Sequence, residues 1–211
     1  DVLVENFKTG DMERFGLGYD DFKSLNERLV YTSVAAFGRV GPKAKALGYE
    51  ALLQAYSGVM GITGEPGGMP VRCGVSFLDM GTGVMAALAT VTALFRREFT
   101  GTGGRCVTSL LGTSLGLMSN TVSNFLQHGY MPERLGTAHP QVVPYQVYPT
   151  KDSFIFIASA NQNLFERLCR AIDREEMIAD TRFESNATRV THRDACLKLI
   201  FDRLAEIDTA P

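Results

Sequence analysis

Asp79 is the residue whose surroundings most invite chemistry. It stands in Gly74-Val75-Ser76-Phe77-Leu78-Asp79-Met80-Gly81-Thr82-Gly83, with apolar residues before it and small ones after it, at an expected strand-to-helix junction. A carboxylate there serves one of two ends. As a helix N-cap it accepts a backbone N–H bond, and facing a ligand it acts as a nucleophile or a base. Gly81 and Gly83 cost about 1 kcal/mol each relative to Ala in a first helical turn. Something therefore requires close approach there, and a ligand passing over the turn would account for both.

The second candidate is the loop Glu5-Asn6-Phe7-Lys8-Thr9-Gly10, with Arg14 shortly after it. It falls at the carboxyl end of the first expected strand, where α/β folds take their ligands. Lys8 and Arg14 suit a phosphate, and each also reads as a solvated surface cation. Gly64 to Gly68 (GEPGG) is either a turn or a glycine loop that closes over a ligand beside Asp79, while Thr100 to Arg105 (TGTGGR) reads as a helix-terminating turn. Neither is a Walker loop, and no G-x-G-x-x-G opens a helix after a strand. His128, His139 and His192 lack metal-site spacing, so no metal is expected. There is no Gly-x-Ser-x-Gly elbow. Cys73, Cys106, Cys169 and Cys196 are widely separated without a C-x-x-C, which fits small buried side chains in a reduced, intracellular compartment.

The elements that must position these residues alternate between strand and helix. Asp1 to Phe7 reads as a buried strand, Tyr19 to Arg28 as a helix, and Leu29 to Phe37 as a strand covered on both faces. After the loop Gly38 to Pro42, a small-residue helix is expected over Tyr49 to Ile62 and a short extended segment over Val71 to Phe77. An apolar helix follows over Met80 to Arg97, then a strand over Cys106 to Leu111 and a helix over Thr113 to Gln127. Pro132, Pro140, Pro144 and Pro149 then crowd eighteen residues, the texture of a crossover. The expected organisation is thus a large α/β domain over 1–130, a linker over 131–142 and a smaller α+β domain over 143–211. In the latter, Val143 to Tyr148 and Phe154 to Ser159 pair as a hairpin. Asn161 caps a helix over Asn163 to Ile172, and Thr191 with Asp194 opens a last helix over His192 to Ile207.

Composition narrows the class of partner. Of 211 residues, 45% are hydrophobic and 21% charged, with a formal net charge of −2, as in an ordinary soluble globular protein. No basic cluster marks a nucleic-acid or anionic-membrane surface. The most apolar run, Val84 to Phe95, is shorter than the ~20 residues that cross a bilayer. A small ligand is the expected partner, with neither nucleic acid nor membrane.

Several ordered stretches now carry a resemblance. DVLVENFKTGDMERFGLGYDDFKSLNERLVYTSVAAFGRVGP, GYEALLQAYSGVMGITGEPGGMPVRCGVSFLDMGTGV, RREFTGTGGRCVTSLL and TAHPQVVPYQVYPTKD, in this order and at these intervals, resemble the family III CoA-transferases, the group that includes formyl-CoA and carnitine CoA-transferases. The resemblance implies a Rossmann-like parallel-sheet large domain, present in part, and a smaller α+β domain. It also implies a homodimer of interlocked chains, and a fragment that lacks the family's opening Rossmann part and its returning C-terminal segment. By resemblance, Asp79 is the catalytic nucleophile, Asn6, Phe7 and Lys8 are a CoA-contacting loop with Arg14 as a phosphate-side cation, and Ala46, Leu47, Gly48 and Tyr49 are a second CoA-contacting stretch. Gly136 to Pro140 is assigned no catalytic role.

The implied reaction moves CoA from an acyl-CoA thioester to a small free carboxylic acid through a covalent aspartyl intermediate, with coenzyme A carried by the substrate and no metal. The helix N-terminus and nearby backbone N–H groups would steady the developing oxyanion. A cytoplasmic location is expected, or a mitochondrial or peroxisomal one in a eukaryote. Two alternatives stay open. The α-methylacyl-CoA racemases share the fold but place a His where this chain has Tyr49, and a phenol with an ordinary pKa near 10 serves poorly as that base. A purely folding or dimerising role is the other.

Overall fold

Three β-rich runs meet side by side in parallel: Val2–Glu5 (β1), Val30–Ala35 (β2) and Gly104–Ser109 (β3), in the order β1-β2-β3. Val2 lies opposite Val30, and Val30 opposite Gly104. The central strand buries Val30, Tyr31, Thr32 and Ser33, in keeping with its β-rich and mostly apolar run. The edge strand β1 departs from expectation, because Val2 and Val4 remain exposed on a strand paired on one side. The structure, a computed structural model, describes residues 1–209. The chain divides into two units, one of Asp1–Thr63 with Gly68–Arg134, the other of Gly64–Gly67 with the chain from Leu135 onward.

In the first unit, α1 (Asp11–Arg14) and α2 (Tyr19–Lys23) connect β1 to β2. The helix expected to run to Arg28 stops early, because Asn26 turns the chain by accepting the Arg28 N–H at 3.0 Å. The helix expected over 49–62 is two, α3 (Glu50–Ser57) and α4 (Val59–Ile62), broken at Gly58, whose φ of 95° ends a helix without the penalty a side chain would bring. No strand forms over 71–77; the chain enters α5 (Phe77–Thr100) directly.

Helix α5 is the chief cover of the sheet and contacts both β2 and β3. The Thr90 and Thr32 hydroxyls bond at 2.7 Å, and the buried Arg97 guanidinium donates to the Arg28 carbonyl at 2.9 Å and to Asp1 Oδ1 at 3.0 Å. With 24 residues and a mean hydropathy of 1.5 over its most apolar window, α5 is long and apolar enough to cross a membrane. Here it is buried along one side only. Leu78, Thr82, Ala86 and Ala93 face inward, whereas Met80, Val84, Leu88, Val91, Phe95 and Phe99 are exposed.

The last strand ends before the expected Leu111, at Ser109, whose hydroxyl accepts the Gly112 N–H at 3.1 Å and starts α6 (Leu110–Leu117). Then comes α7 (Ser119–His128). Helix α6 packs against α3 and α5. A methyl group on Gly81 would stand 3.2 Å from Thr113 Cγ2, so the close approach that Gly81 permits is that of α6. Leu53, Leu78 and Leu110 form the buried centre of this arrangement.

In the second unit, β4 (Tyr145–Pro149) and β5 (Phe154–Ala158) make the expected antiparallel hairpin, with Tyr145 opposite Ala158. Four helices follow: α8 (Gln162–Ala171), α9 (Glu176–Ala179), α10 (Asn186–Thr191) and α11 (Arg193–Leu204), with a 3₁₀ turn at Thr181–Phe183. Asn161 caps α8, accepting the Leu164 N–H at 2.9 Å, as its sequence predicts. The capping box placed at Thr191 lies instead at Ser185 and Thr188, because Thr191 is spent as the last residue of α10. Arg189 is fully buried without a carboxylate. It donates to the carbonyls of Val143 and Phe183, each at 2.8 Å, and to Gln162 Oε1 at 2.7 Å, with its guanidinium 4.2 Å from the Phe165 ring centre. Cys169 and Cys196 pack beside it as free thiols. Burial pushes them up to about 11 and about 12, so they stay protonated and act as small apolar side chains.

Candidate active site

All three parallel strands end on the same side, and there the first unit opens a cleft of ≈ 460 Å³. Its walls are residues 6–9 after β1, 34–36 at the end of β2, 44–49 in the approach to α3, Leu110 at the start of α6, and Asp79, Thr82 and Gly83 on the first turns of α5. The cleft therefore brings Asn6, Phe7 and Lys8 together with Ala46, Leu47, Gly48, Tyr49 and Asp79. Arg14 is not among these walls. It is exposed on α1, 3.4 Å from Asp11 and stacked over Phe15.

Local sequence explains how the walls are held. The Ala46 N–H donates to the Lys43 carbonyl at 2.9 Å, folding the β2–α3 connection into a turn. The Gly48 backbone then presses onto the core: a side chain there would strike Leu53 and lie 3.0 Å from Ala36 Cβ. A methyl on Gly83 would meet nothing within 4 Å, so that position stays open to the cleft.

Asp79 is not the cap of its helix. Helix α5 begins two residues earlier, and two of its first-turn amides are taken by a carboxylate from another element: Glu50 Oε2 accepts the Asp79 N–H at 2.7 Å, and Glu50 Oε1 accepts the Leu78 N–H at 3.4 Å. Gln54, one turn along α3, donates its Nε2 to Glu50 Oε1 at 2.6 Å and accepts the Cys73 N–H at 2.9 Å through its own Oε1. Both side chains are buried. Glu50 was invisible as a functional residue in the sequence because its partner amides lie some thirty positions away. The Leu78 and Asp79 amides of this helix N-terminus are thus engaged by Glu50. Lys45, between two alanines, also lines the cleft and was missed as one of several scattered lysines.

With Glu50 doing the capping, the Asp79 side chain is free for the cleft. Partial burial, and then the Glu50 charge, hold its carboxyl above the usual carboxylate range. A carboxyl raised in the folded state stabilises the fold in its protonated form, and that stabilisation is lost as pH rises through the raised value. Asp79→Asn, which imitates the protonated form, is expected to melt above wild type at pH 7, with the gap closing below the ordinary carboxylate range. A melting temperature lower than wild type at neutral pH would contradict this electrostatic picture.

The chain belongs to CoA-transferase family III, whose sequence profile matches residues 1–210. It is 40% identical over 200 residues to an acyl-CoA transferase of Fusarium pseudograminearum, covering 95% of this chain and 44% of that protein. To the succinate–glutarate CoA-transferase of Agrobacterium fabrum it is 38% identical over 193 residues, covering 92% of this chain and 48% of that one. Among solved structures, a CAIB/BAIF family protein from Brucella suis superposes with a TM-score of 0.81 at 36% identity, over 99% of this chain and 55% of the other. The chain thus spans about half the length of the curated relatives it matches. The mixed α/β architecture, with a parallel sheet and a small antiparallel one, is that of these structural neighbours.

Proposed function

We propose that the full-length polypeptide carrying this sequence transfers CoA between an acyl-CoA thioester and a free carboxylic acid, with Asp79 as the covalent nucleophile. The observation that carries the reading is a carboxylate that its helix does not need. Asp79 faces a cleft at the carboxyl ends of parallel strands while Glu50 performs the capping. The donor's thioester carbon is attacked by an Asp79 oxygen and CoA leaves as thiolate, giving a mixed anhydride. The thiolate then attacks the Asp79 carbonyl and expels the donor acid as carboxylate, which leaves an aspartyl-CoA thioester. The acceptor carboxylate reverses the sequence, so no proton or electron is gained or lost overall. The walls hold Tyr49 and no histidine, which favours acyl transfer over proton exchange at an α-carbon.

In this reading the loop 6–9 and the stretch 44–49 receive CoA, and Lys8 and Lys45 offer positive charge to its phosphates. Several relatives are named for succinyl-CoA and glutarate, which makes these the first donor and acceptor to try within a wider panel of free carboxylates. Resolving the CoA products by mass spectrometry tests the reading, and absence of any new thioester across the panel would refute it. Lys8→Ala is expected to raise KM for the acyl-CoA several-fold and leave KM of the free acid unchanged. Because exposed charge contacts are screened, the defect should shrink at high ionic strength. Equal effects on both substrates would remove Lys8 from the CoA side.

A further inference from the structure

Between the first two strands lies an ion pair that the chemistry above does not use. Glu5 ends β1, and Arg39 follows β2 in the loop flanked by Gly38 and Gly41, whose φ values of 99° and 92° bend that loop back toward β1. The two side chains meet at 2.6 Å and are 4% and 7% exposed. Their remaining bonds run to the cleft wall. Glu5 Oε2 accepts the Phe7 N–H at 2.8 Å, while Arg39 Nη1 donates to the Phe7 carbonyl at 2.9 Å and reaches Thr9 Oγ1 at 3.4 Å. Arg39 Nη2 also reaches the Val34 carbonyl at 3.3 Å, which ties the pair to the end of β2. Both backbone polar groups of Phe7 are thereby fixed by buried charges, although residues 6–8 are themselves exposed and belong to no strand or helix.

We propose that Glu5 and Arg39 are positioning residues that hold the loop 6–9 in the shape that receives the phosphate-bearing end of the acyl-CoA. The inference rests on the reading of that loop as a CoA contact. An exposed irregular loop loses about 1–2 kcal/mol of conformational freedom per residue when a ligand orders it, and a loop ordered beforehand spares the ligand that cost. Arginine suits the task because its planar fork serves several oxygens at once, which a lysine ammonium at the same place does not reproduce.

The test is a comparison of KM and kcat in the full-length polypeptide for Arg39→Lys, for the double variant Glu5→Leu/Arg39→Met and for Lys8→Ala. Removing one buried partner strands the other, whereas replacing both with apolar residues of similar bulk is often tolerated. The double variant thus remains informative where a single one does not fold. Arg39→Lys and the double variant are expected to raise KM for the acyl-CoA about tenfold, with kcat and the acceptor KM within about twofold of wild type. Hydrogen exchange at the Phe7 amide should quicken in both. A purely structural pair would lower the yield of active enzyme without moving that KM. If Lys8→Ala raises the acyl-CoA KM and the ion-pair variants do not, the positioning role is wrong and the CoA loop stands. If none of the three moves it, the CoA reading of the loop falls, and the positioning role with it.

Discussion

Asp79→Asn is expected to give a folded protein in which CoA transfer falls more than about a thousandfold, the scale of loss when a covalent nucleophile is removed. The substitution is nearly isosteric and takes no cap from α5, because the Leu78 and Asp79 amides bond to Glu50. A lost activity therefore cannot be assigned to a frayed helix. The full-length wild-type polypeptide, given acyl-CoA without an acceptor, should accumulate a hydroxylamine-sensitive adduct that peptide mapping places on Asp79, and the Asn variant should show none. Substantial transfer by Asp79→Asn, or an adduct on another residue, would overturn the mechanism.

The second large effect is expected at Glu50, where two substitutions separate two roles. Glu50→Ala deprives the Leu78 and Asp79 amides and the Gln54 amide of their acceptor inside the protein, and groups left unsatisfied there cost about 2–3 kcal/mol in total. In a domain of this size, that corresponds to a fall in melting temperature of roughly 5–10 °C, readable by calorimetry. Glu50→Gln keeps an acceptor oxygen and removes the charge. Since that charge is the second cause of the raised Asp79 carboxyl, the acid limb of the transfer rate should move to lower pH in the Gln variant. An acid limb that stays in place would mean that burial alone sets Asp79, and a melting temperature unchanged in Glu50→Ala would mean that the cap is dispensable.

What the residues disclosed on their own follows the range over which each signal acts. The central strand was legible because burial on both faces writes itself into consecutive residues such as Val30 to Ser33, and the Asn161 cap because its partner lies three residues away. Helix breaks at Gly58 and Met118 were blurred, since the apolar pattern continues across them. The cap of α5 stays open in the sequence for a deeper reason. Asp79 has the composition of a cap, and only tertiary contact reveals that Glu50 and Gln54, on another helix, have taken that work. Gly81 was likewise ambiguous until α6 supplied the neighbour that a Cβ would crowd. Asp79 itself was conspicuous as a lone carboxylate between an apolar segment and a run of small residues.

The exposed side of α5 bears on how a preparation of this polypeptide would be judged at the bench. Val84, Leu88, Val91 and Phe95 make an apolar strip along a fully formed helix, beside a sheet whose hydrogen bonds are intact. Such a strip takes up environment-sensitive dyes of the ANS type, a response ordinarily read as the mark of a collapsed, loosely packed state. For residues 1–209 that fluorescence would report an ordered helix face, and well-dispersed side-chain NMR signals, rather than dye exclusion, are the proper criterion of correct folding.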